Sequence, residues 1–197
     1  KKYVSVVLSG DGGDELFCGY NRYLKGFDFY KFSKNPLTKL FSNLFKNNKN
    51  YLFQIINESK KEKLEKFINA LSSNNLSQYY EKVIEIFSSD DPITKDQLFS
   101  NNLLSQKLIN DLSLCDEEKL MLGDMIYYLP EDILTKVDRA SMSVGLEARS
   151  PFMDHELVEY ALKIPIEMKK KSGKGKIILR EVLSKYLPSD LINNEKK

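Results

Sequence analysis

The chain has no tryptophan, one histidine and two cysteines among its 197 residues. A single histidine excludes a His-rich metal site. Cys18 and Cys115 lie far apart without a C-x-x-C spacing, which indicates incidental thiols in a reducing, cytoplasmic setting. No apolar run reaches the length of about 18 residues that a membrane span needs, and no signal peptide is recognisable. The net charge of +2 does not favour nucleic acid as a partner.

Arginine is also scarce, because 30 basic residues include only Arg22, Arg139, Arg149 and Arg180. In a lysine-rich chain, an arginine indicates a planar, bidentate contact. All four occur near the two ends of the chain and none in the middle. We therefore expect the ends to form the functional site and the middle to act as a helical scaffold.

The most informative segment is residues 4–20. An apolar run at 4–8 is followed by a glycine-rich turn that holds Asp11, Asp14 and Glu15. This order predicts a buried strand that delivers an acidic loop to the sheet edge where α/β folds bind ligands. Acids in such a loop favour a nucleotide–metal complex, a substrate amine, or both. Helix capping would explain Asp14 but not Asp11.

Beyond this loop, apolar spacing near 3.6 residues predicts helices over almost the whole chain. We expect Asp14 and Asp154 to cap helices, Pro130 to end one helix and begin the next, and residues 146–153 to be irregular. The predicted helices are 14–29, 51–71, 76–88, 94–113, 117–129, 130–144, 154–164 and 176–187.

The chain begins inside a buried-type strand, and one strand cannot form a sheet. We therefore expect a fragment, mainly α, with one or two residual strands. Three segments are predicted: strand, acidic loop and helix at 1–25, a helical scaffold at 26–129, and motif-bearing helices at 130–197. The unpaired sheet edge predicts self-association, with a homodimer as one form.

Two segments place charges among apolar residues. Lys136, Asp138 and Arg139 share one helix, where the pattern alone favours a solvated ion-pair face. Glu147 and Arg149 alternate beside an apolar run, which favours a buried structural pair. Neither pattern by itself indicates catalysis.

Three other basic groups carry weaker signals. His155 follows the Asp154 cap and is expected to be a surface or capping residue. The segment Lys174-Gly175-Lys176 suggests phosphate binding but lacks the spacing of a P-loop, so a mobile turn is the better interpretation. Lys196 lies in a basic tail and has no meaning by itself.

Four segments occur in the order found in one enzyme family. Together they resemble the synthetase domain of glutamine-dependent asparagine synthetases, over residues 1–25 and 130–197, while the middle aligns only as helices. Four ordered motifs are a far more specific signal than any one of them. The matching segments are Leu8–Tyr20, Leu129–Met142, Gly145–Asp154 and Lys176–Arg180.

The resemblance implies the C-terminal part of an adenine-nucleotide α-hydrolase-like, Rossmann-like α/β domain. It implies an ATP- and Mg²⁺-dependent ligase that converts aspartate to β-aspartyl-AMP and pyrophosphate. Ammonia from glutamine then gives asparagine and AMP. The family's glutaminase domain and its Ser-Gly-Gly-x-Asp-Ser pyrophosphate loop lie upstream of these motifs, so this chain alone is expected to be inactive.

The resemblance also implies roles for individual residues of the acidic loop. Ser9, Gly10 and Gly12 would bind ATP. Asp11 matches a position that is often Glu and would help ammonia to attack the acyl-adenylate, since a carboxylate can accept a proton from the attacking amine. Asp14 would hold Mg²⁺–pyrophosphate.

Near the other end, Lys196 aligns with a lysine of an Arg-x-Lys pattern and would neutralise phosphate charge in the transition state. This sequence departs from the family at Cys18, where Gly is usual, and at Asn194, where Arg is common. Supporting or structural roles are implied for Glu15, Lys136, Asp138, Arg139, Glu147 and Arg149.

Two other classes stay open. One is another adenylating enzyme on the same fold: a β-lactam synthetase, a lasso-peptide cyclase or an amidotransferase of surface-polysaccharide synthesis. The upstream substrate pocket and an N-terminal cysteine would discriminate among these. The other is a non-catalytic helical interaction domain, which loss of the upstream pyrophosphate loop would favour. The intact pair Asp11 and Asp14 argues against that second class.

Overall fold

The computed structural model describes residues 2–24, 26–38, 61, 68, 70, 72–73, 75–84, 113–188 and 191–192. Its contacts divide the chain into two units. One unit combines Lys1–Leu24 with Glu117–Lys197, and the other is Lys25–Asp116. Within the described residues the protein is mostly helical with a few short strands, as the sequence predicts for this part of the chain.

Some predictions fall elsewhere in the chain. The helices predicted at 51–71 and 94–113 lie almost entirely outside the described residues. Lys196 also lies outside them. Among the described helices, none is long and apolar enough to cross a membrane.

The helices and strands that follow are labelled in chain order. The elements are β1 (Val6–Leu8), α1 (Gly13–Leu16), α2 (Asn21–Leu24), α3 (Gly26–Ser33), α4 (Leu76–Ile84), α5 (Asp116–Gly123), a π-helical segment (Asp124–Leu134), α6 (Thr135–Met142), β2 (Glu147–Arg149), a 3₁₀ turn (Pro151–Met153), α7 (His155–Lys163), α8 (Ile166–Lys169), β3 (Lys170–Lys171), β4 (Lys174–Gly175) and α9 (Ile177–Leu183).

Strand β1 pairs in parallel with β2, so that Val7 lies opposite Ala148. The prediction that 146–153 is irregular is therefore wrong, because this segment contains β2 and the 3₁₀ turn. The prediction that β1 is buried is also wrong: Leu8 is 75% exposed and Val4 is 51% exposed. Parallel strands become buried only when further strands and helices cover them, and β2 is the single strand paired with β1 in the described part of the chain.

The helix predicted at 14–29 is interrupted, because α1 ends at Leu16 and α2 begins only at Asn21. Cys18 has a φ of 59°, in the left-handed region, and this conformation ends α1. Gly12, with a φ of 88°, precedes α1 as its N-cap, and no side chain caps the helix. Asp14 is thus not the cap. It lies in the first turn, where its charge still favours the helix.

Pro130 does not separate two helices, which corrects another prediction. It lies inside the π-helical segment, and the chain is helical from α5 through α6. A proline has no N–H to donate and crowds the preceding turn. The wider turns of a π-helix accommodate this, and the hydroxyl of Thr135 donates to the carbonyl oxygen of Pro130 over 2.8 Å.

The core of the first unit forms where α1 packs on α7. Leu16 and Phe17 are buried with Ala161 and Ile164. The rings of Phe17 and Phe152 meet edge to face, with centroids 5.9 Å apart. This packing fixes α1, and with it the acidic loop, against the C-terminal helices.

The predicted Asp154 cap is confirmed. Its carboxylate accepts hydrogen bonds from the backbone N–H groups of Glu156 at 3.1 Å and Leu157 at 3.2 Å. These bonds satisfy donors that the first turn of α7 otherwise leaves unpaired.

After α8, strands β3 and β4 form an antiparallel hairpin whose turn holds Ser172 and Gly173, both with positive φ. Lys176 also has a left-handed φ, 57°, and precedes α9. That helix ends at Leu183, earlier than the predicted residue 187. The turn residues Ser172 and Gly173 do break the chain, as the sequence indicates, but Lys174 and Gly175 form β4.

In the second unit, α4 buries the face that contains Leu76, Tyr79 and Tyr80. The rings of Tyr30 and Tyr79 lie 5.3 Å apart, and burial raises the pKa of Tyr79 to about 12. The Thr38 hydroxyl lies within hydrogen-bond distance of the carbonyl oxygens of Phe32, in the last turn of α3, and Asn35, just beyond it. The described residues of this unit form helices that pack through these side chains.

Removing the α7 cap is expected to destabilise the protein. Asp154→Ala should lower the free energy of unfolding by about 1 kcal/mol, while Asp154→Asn should retain most of it. Urea unfolding measures both. Glu159→Ala, an exposed change on the same helix, is the matched control and should stay within about 0.5 kcal/mol. An Asp154→Ala loss no larger than that of the control would contradict the cap.

Candidate functional site

The acidic loop leaves β1 and packs on the turn that follows β2. The N–H of Ser9 donates to the carbonyl oxygen of Arg149 over 2.8 Å, and the Ser150 hydroxyl donates to the carbonyl oxygen of Asp11. A Cβ on Gly12 would lie 3.0 Å from the methyl carbon of Met153, and its φ is positive. Glycine is thus required there both for conformation and for space.

Asp14 contacts a lysine from the far end of the chain. Its Oδ1 lies 2.8 Å from Nζ of Lys176, and the two side chains are 37% and 31% exposed. The backbone supports this contact, because the N–H of Lys176 donates to the carbonyl oxygen of Phe17 over 2.9 Å. A Cβ on Gly19 would overlap the Asp14 carboxylate. The fold therefore places a carboxylate and an ammonium group next to each other at the loop.

The position of Lys176 beside Asp14 was not predicted from the sequence. The segment interpreted as a mobile turn instead forms β4 and a left-handed residue that presents its side chain to Asp14. The available signal was the Lys-Gly-Lys pattern itself. That pattern lacks P-loop spacing, and its partner is more than a hundred residues away.

The other predicted loop residues differ in exposure. Ser9, Asp11 and Asp14 are half-buried, Gly10 is exposed and Gly12 is buried. A partly exposed carboxylate can meet a ligand without the full cost of burying a charge. The loop thus presents two such carboxylates beside one ammonium group.

Glu15 points inward instead. It is 1% exposed, and the hydroxyl of Tyr20 donates to its Oε1 over 2.9 Å. Burial raises the pKa of Glu15, and the negative charges of Asp14 and Asp124 act in the same direction. The same burial, with Glu15 nearby, raises the pKa of Tyr20, so its hydroxyl stays a donor. Glu15 is a buried anchor of α1.

A buried charged cluster, which the sequence analysis did not identify, lies behind the loop. Nε of Arg22 is 2.5 Å from Oδ2 of Asp124, and Asp124 is completely buried. Tyr23 donates its hydroxyl hydrogen to the same oxygen. The rings of Tyr20 and Tyr128 lie 4.1 and 4.4 Å from the central guanidinium carbon. Burial, then the Asp124 charge, raises the pKa of Tyr23.

The scarcity of arginine was the signal that could have found this cluster, since it singled out Arg22. Asp124 carried no such signal in the sequence, because a single acid in an amphipathic helix ordinarily faces water. Its burial follows from the π-helical segment, where the register departs from the 3.6-residue period.

The charged helix of the second motif is solvated, as its pattern indicates. Lys136 contacts Asp132 one turn earlier and is 68% exposed. A hydrogen bond with Asp132 raises the pKa of Lys136. Asp138 and Arg139 are exposed. Such a pair contributes little to stability.

Glu147 and Arg149 do pair, with Nε 2.7 Å from Oε1, but the side chains are 52% and 64% exposed. The predicted buried pair is therefore wrong about burial, because β2 has an open face in the described residues. A hydrogen bond to Glu147 raises the pKa of Arg149. His155 is exposed at the start of α7, as expected.

A metal site made only of protein ligands is not seen in the part of the chain that the structure describes. No three His, Cys, Asp or Glu side chains there come together to hold an ion. Asp14 could supply one oxygen ligand, with the other positions left to waters or phosphate oxygens.

All 197 residues match the family model described as asparagine synthase. The chain belongs to the asparagine synthase family. Asparagine synthetase [glutamine-hydrolyzing] 1 of Bacillus subtilis is 31% identical over 204 residues, covering all of this chain and 30% of the relative. Asparagine synthetase 3 of the same organism is 29% identical over 201 residues, covering all of this chain and 26% of the relative.

A more distant asparagine synthetase, from Gallus gallus, is 28% identical over 123 residues, covering 59% of this chain and 21% of the relative. No solved structure matches the chain. The chain thus spans about 30% of the length of the first of these asparagine synthase relatives. The family inferred from the four motifs is confirmed, and the matched region is a piece of a longer type of protein.

The close contact between β4 and the loop that follows α1 can be tested by a substitution at Gly175. In Gly175→Ala the new Cβ would overlap the carbonyl oxygen of Cys18, which is backbone and cannot rotate away. We expect the free energy of unfolding to fall by about 1–3 kcal/mol.

Gly10→Ala is the matched control, because a Cβ there meets nothing within 4 Å. Denaturant unfolding of both variants makes the comparison. Equal stability of Gly175→Ala and Gly10→Ala would show that β4 does not lie against Cys18.

The raised pKa of Glu15 makes a pH test. Because the folded-state pKa exceeds the unfolded-state value, the stability from this group is complete below the carboxyl's ordinary pKa, about 4.3, and is lost as pH rises through the folded pKa. Glu15→Gln should remove this loss. The free energy of unfolding of this variant, relative to that of wild type, should therefore increase from about pH 4 to pH 7.

Urea unfolding at several pH values measures the difference. Glu181→Gln, an exposed glutamate on α9, should show no such trend. Parallel pH profiles for wild type and Glu15→Gln would contradict a raised pKa at Glu15.

Proposed function

We propose that the protein carrying this chain is an ATP-dependent, amide-forming ligase of the asparagine synthetase type. The observation that supports this most directly is the paired Asp14 and Lys176 at the loop after β1, in a chain that belongs to the asparagine synthase family. A partly exposed acid next to a lysine suits a metal-bound polyphosphate better than a free anion.

The proposed reaction has two steps. A carboxylate oxygen of the aspartate side chain attacks the α-phosphorus of ATP, and pyrophosphate leaves, giving β-aspartyl-AMP. Ammonia then attacks the acyl carbon, one N–H proton is lost, and AMP leaves with the bond's electron pair to give asparagine. Both steps develop negative charge on phosphate oxygens, and cations near the leaving groups lower their barriers.

Asp14 is proposed to hold Mg²⁺ together with pyrophosphate oxygens. Magnesium supplies charge neutralisation at the leaving pyrophosphate when it is bound. The Lys176 ammonium is a second cation at the same place, and it can exchange its Asp14 partner for a phosphate oxygen. Lys196 is proposed to act on phosphate charge too, although it lies outside the described residues.

The loop backbone is proposed to bind ATP through Ser9, Gly10 and Gly12. A Cβ at Gly10 would meet nothing within 4 Å, so a ligand has room to approach the main chain closely there. Asp11 is proposed to accept the proton released by ammonia, because its carboxylate is half-buried at the same loop.

A Rossmann-like architecture for the complete domain belongs to the same proposal. The parallel strands β1 and β2 end side by side, one leading to Ser9 and the other to Ser150. In parallel α/β sheets, ligands bind where the carboxyl ends of adjacent strands meet.

We extend the proposal to the remaining partners. Two relatives are named as glutamine-hydrolysing enzymes, which supports glutamine as the ammonia source and a glutaminase domain in the same protein. A cytoplasmic location fits the buried, unpaired thiol of Cys18. A homodimer remains a proposal that rests on the open edge of the β1–β2 pair.

The test is aspartate-dependent release of AMP and pyrophosphate from ATP by the protein carrying this chain, with glutamine or ammonium present. Asp14→Asn should lower the rate at least about 100-fold, equal to about 2.7 kcal/mol of barrier. Its stability should change by less than about 1 kcal/mol, because the pair with Lys176 is partly solvated.

Asp28→Asn, an exposed aspartate on α3, is the control and should keep the wild-type rate. AMP formation only with a carboxylate other than aspartate would move the function to a related adenylating ligase. No ATP cleavage with any carboxylate would refute the proposal and favour a non-catalytic helical domain.

A further inference from the structure

The buried cluster behind the acidic loop has no part in the proposed chemistry. It contains a full ion pair, Arg22 with Asp124, and none of the proposed steps uses either group. A buried ion pair is costly to desolvate and contributes stability only with good geometry and additional partners. An ion pair in this place, directly beside the loop, is therefore expected to have such additional partners.

Several additional partners are present among the described residues, although Nη2 of Arg22 is buried there without a hydrogen-bond acceptor. The Asp124 carboxylate contacts Arg22 from one side, and the rings of Tyr20 and Tyr128 lie close to its guanidinium carbon. These two rings meet edge to face, with centroids 6.0 Å apart. Tyr23 donates to the same carboxylate. A guanidinium ion is weakly hydrated, so it loses less than an ammonium ion does when aromatic rings replace water around it. The ring contacts of this cluster therefore favour arginine over lysine.

Tyr20 joins this cluster to the loop. Its ring lies 4.1 Å from the guanidinium carbon of Arg22, and its hydroxyl donates to Glu15 over 2.9 Å. Glu15 belongs to α1 and directly follows Asp14. Because Glu15 is 1% exposed, no water can readily replace the hydroxyl as its donor. One side chain with two rotatable bonds therefore links the ion pair to the helix that presents Asp14.

We propose that Tyr20 is a positioning residue, which fixes α1 between the Arg22–Asp124 pair and Glu15 so that Asp14 is held ready for magnesium-bound ATP. This inference rests on the proposed function, because it concerns the same loop. Removing only the Tyr20 hydroxyl leaves the ring on Arg22 but releases Glu15. The α1 turn then moves more freely. Ordering Asp14 when the ligand binds then makes the free energy of binding less favourable.

The kinetic test compares Tyr20→Phe with wild type in the protein carrying this chain. We expect KM for magnesium-bound ATP to rise about 3- to 10-fold, with kcat changing less than about twofold. Tyr160→Phe, which removes a hydroxyl from an exposed tyrosine on α7, is the matched control and should change neither constant. A purely structural role would reduce the fraction of active protein, and so kcat, while KM stayed unchanged.

A second measurement does not depend on activity. Amide hydrogen exchange of residues 9–19 should be about 3- to 10-fold faster in Tyr20→Phe than in wild type or Tyr160→Phe. Arg22→Lys, which keeps the charge but loses the Nε contact with Asp124 and the guanidinium contact with the Tyr20 ring, should increase exchange in the same segment.

The two proposals fail in different ways. If wild type forms no AMP with aspartate, the proposed function fails, and the exchange measurement still tests whether Tyr20 fixes α1. If wild type is active but Tyr20→Phe leaves both KM and exchange unchanged, the positioning role is refuted. Faster exchange with an unchanged KM also refutes it, because Tyr20 would then stabilise α1 without affecting ligand binding.

Discussion

Three residues of β1 pair in parallel with three residues of β2, and this pairing places the acidic loop. The loop's contacts come from a segment far along the chain, since Asp11 and Ser150 are 139 positions apart. Gly12 then fits against Met153, and the short helix that begins at Gly13 packs Phe17 on Phe152. The local sequence alone has too few contacts to hold such a loop, so its shape depends on the long-range pairing.

Features that depend on neighbouring residues could be predicted from the sequence, whereas features that depend on contacts between distant residues could not. The Asp154 cap and the turn at Gly173 depend on neighbouring residues, and their signals were local. The left-handed Cys18 and the π-helical turns around Pro130 follow from tertiary contacts that override local preference. The family was evident from four ordered motifs. The partner of Asp14 was not, because Lys176 reaches it only through the fold.

Two ion pairs near the loop illustrate different physical situations. Asp14 and Lys176 are partly solvated, so water can replace either partner and the pair can open for a ligand at little cost. Arg22 and Asp124 are buried with aromatic and hydroxyl partners, so separating them would leave a charge without solvent. The first arrangement suits a group that must exchange partners, and the second suits one that must not move.

The burial of Cys18 has a practical consequence. Burial raises the pKa of its thiol to about 11, so at neutral pH only about one molecule in ten thousand carries the reactive thiolate. Cys115 is exposed and would react with an alkylating reagent first. Because Cys18 is completely buried, its thiol meets a reagent only when this region opens. The rate of Cys18 alkylation therefore measures how often the region around the site opens.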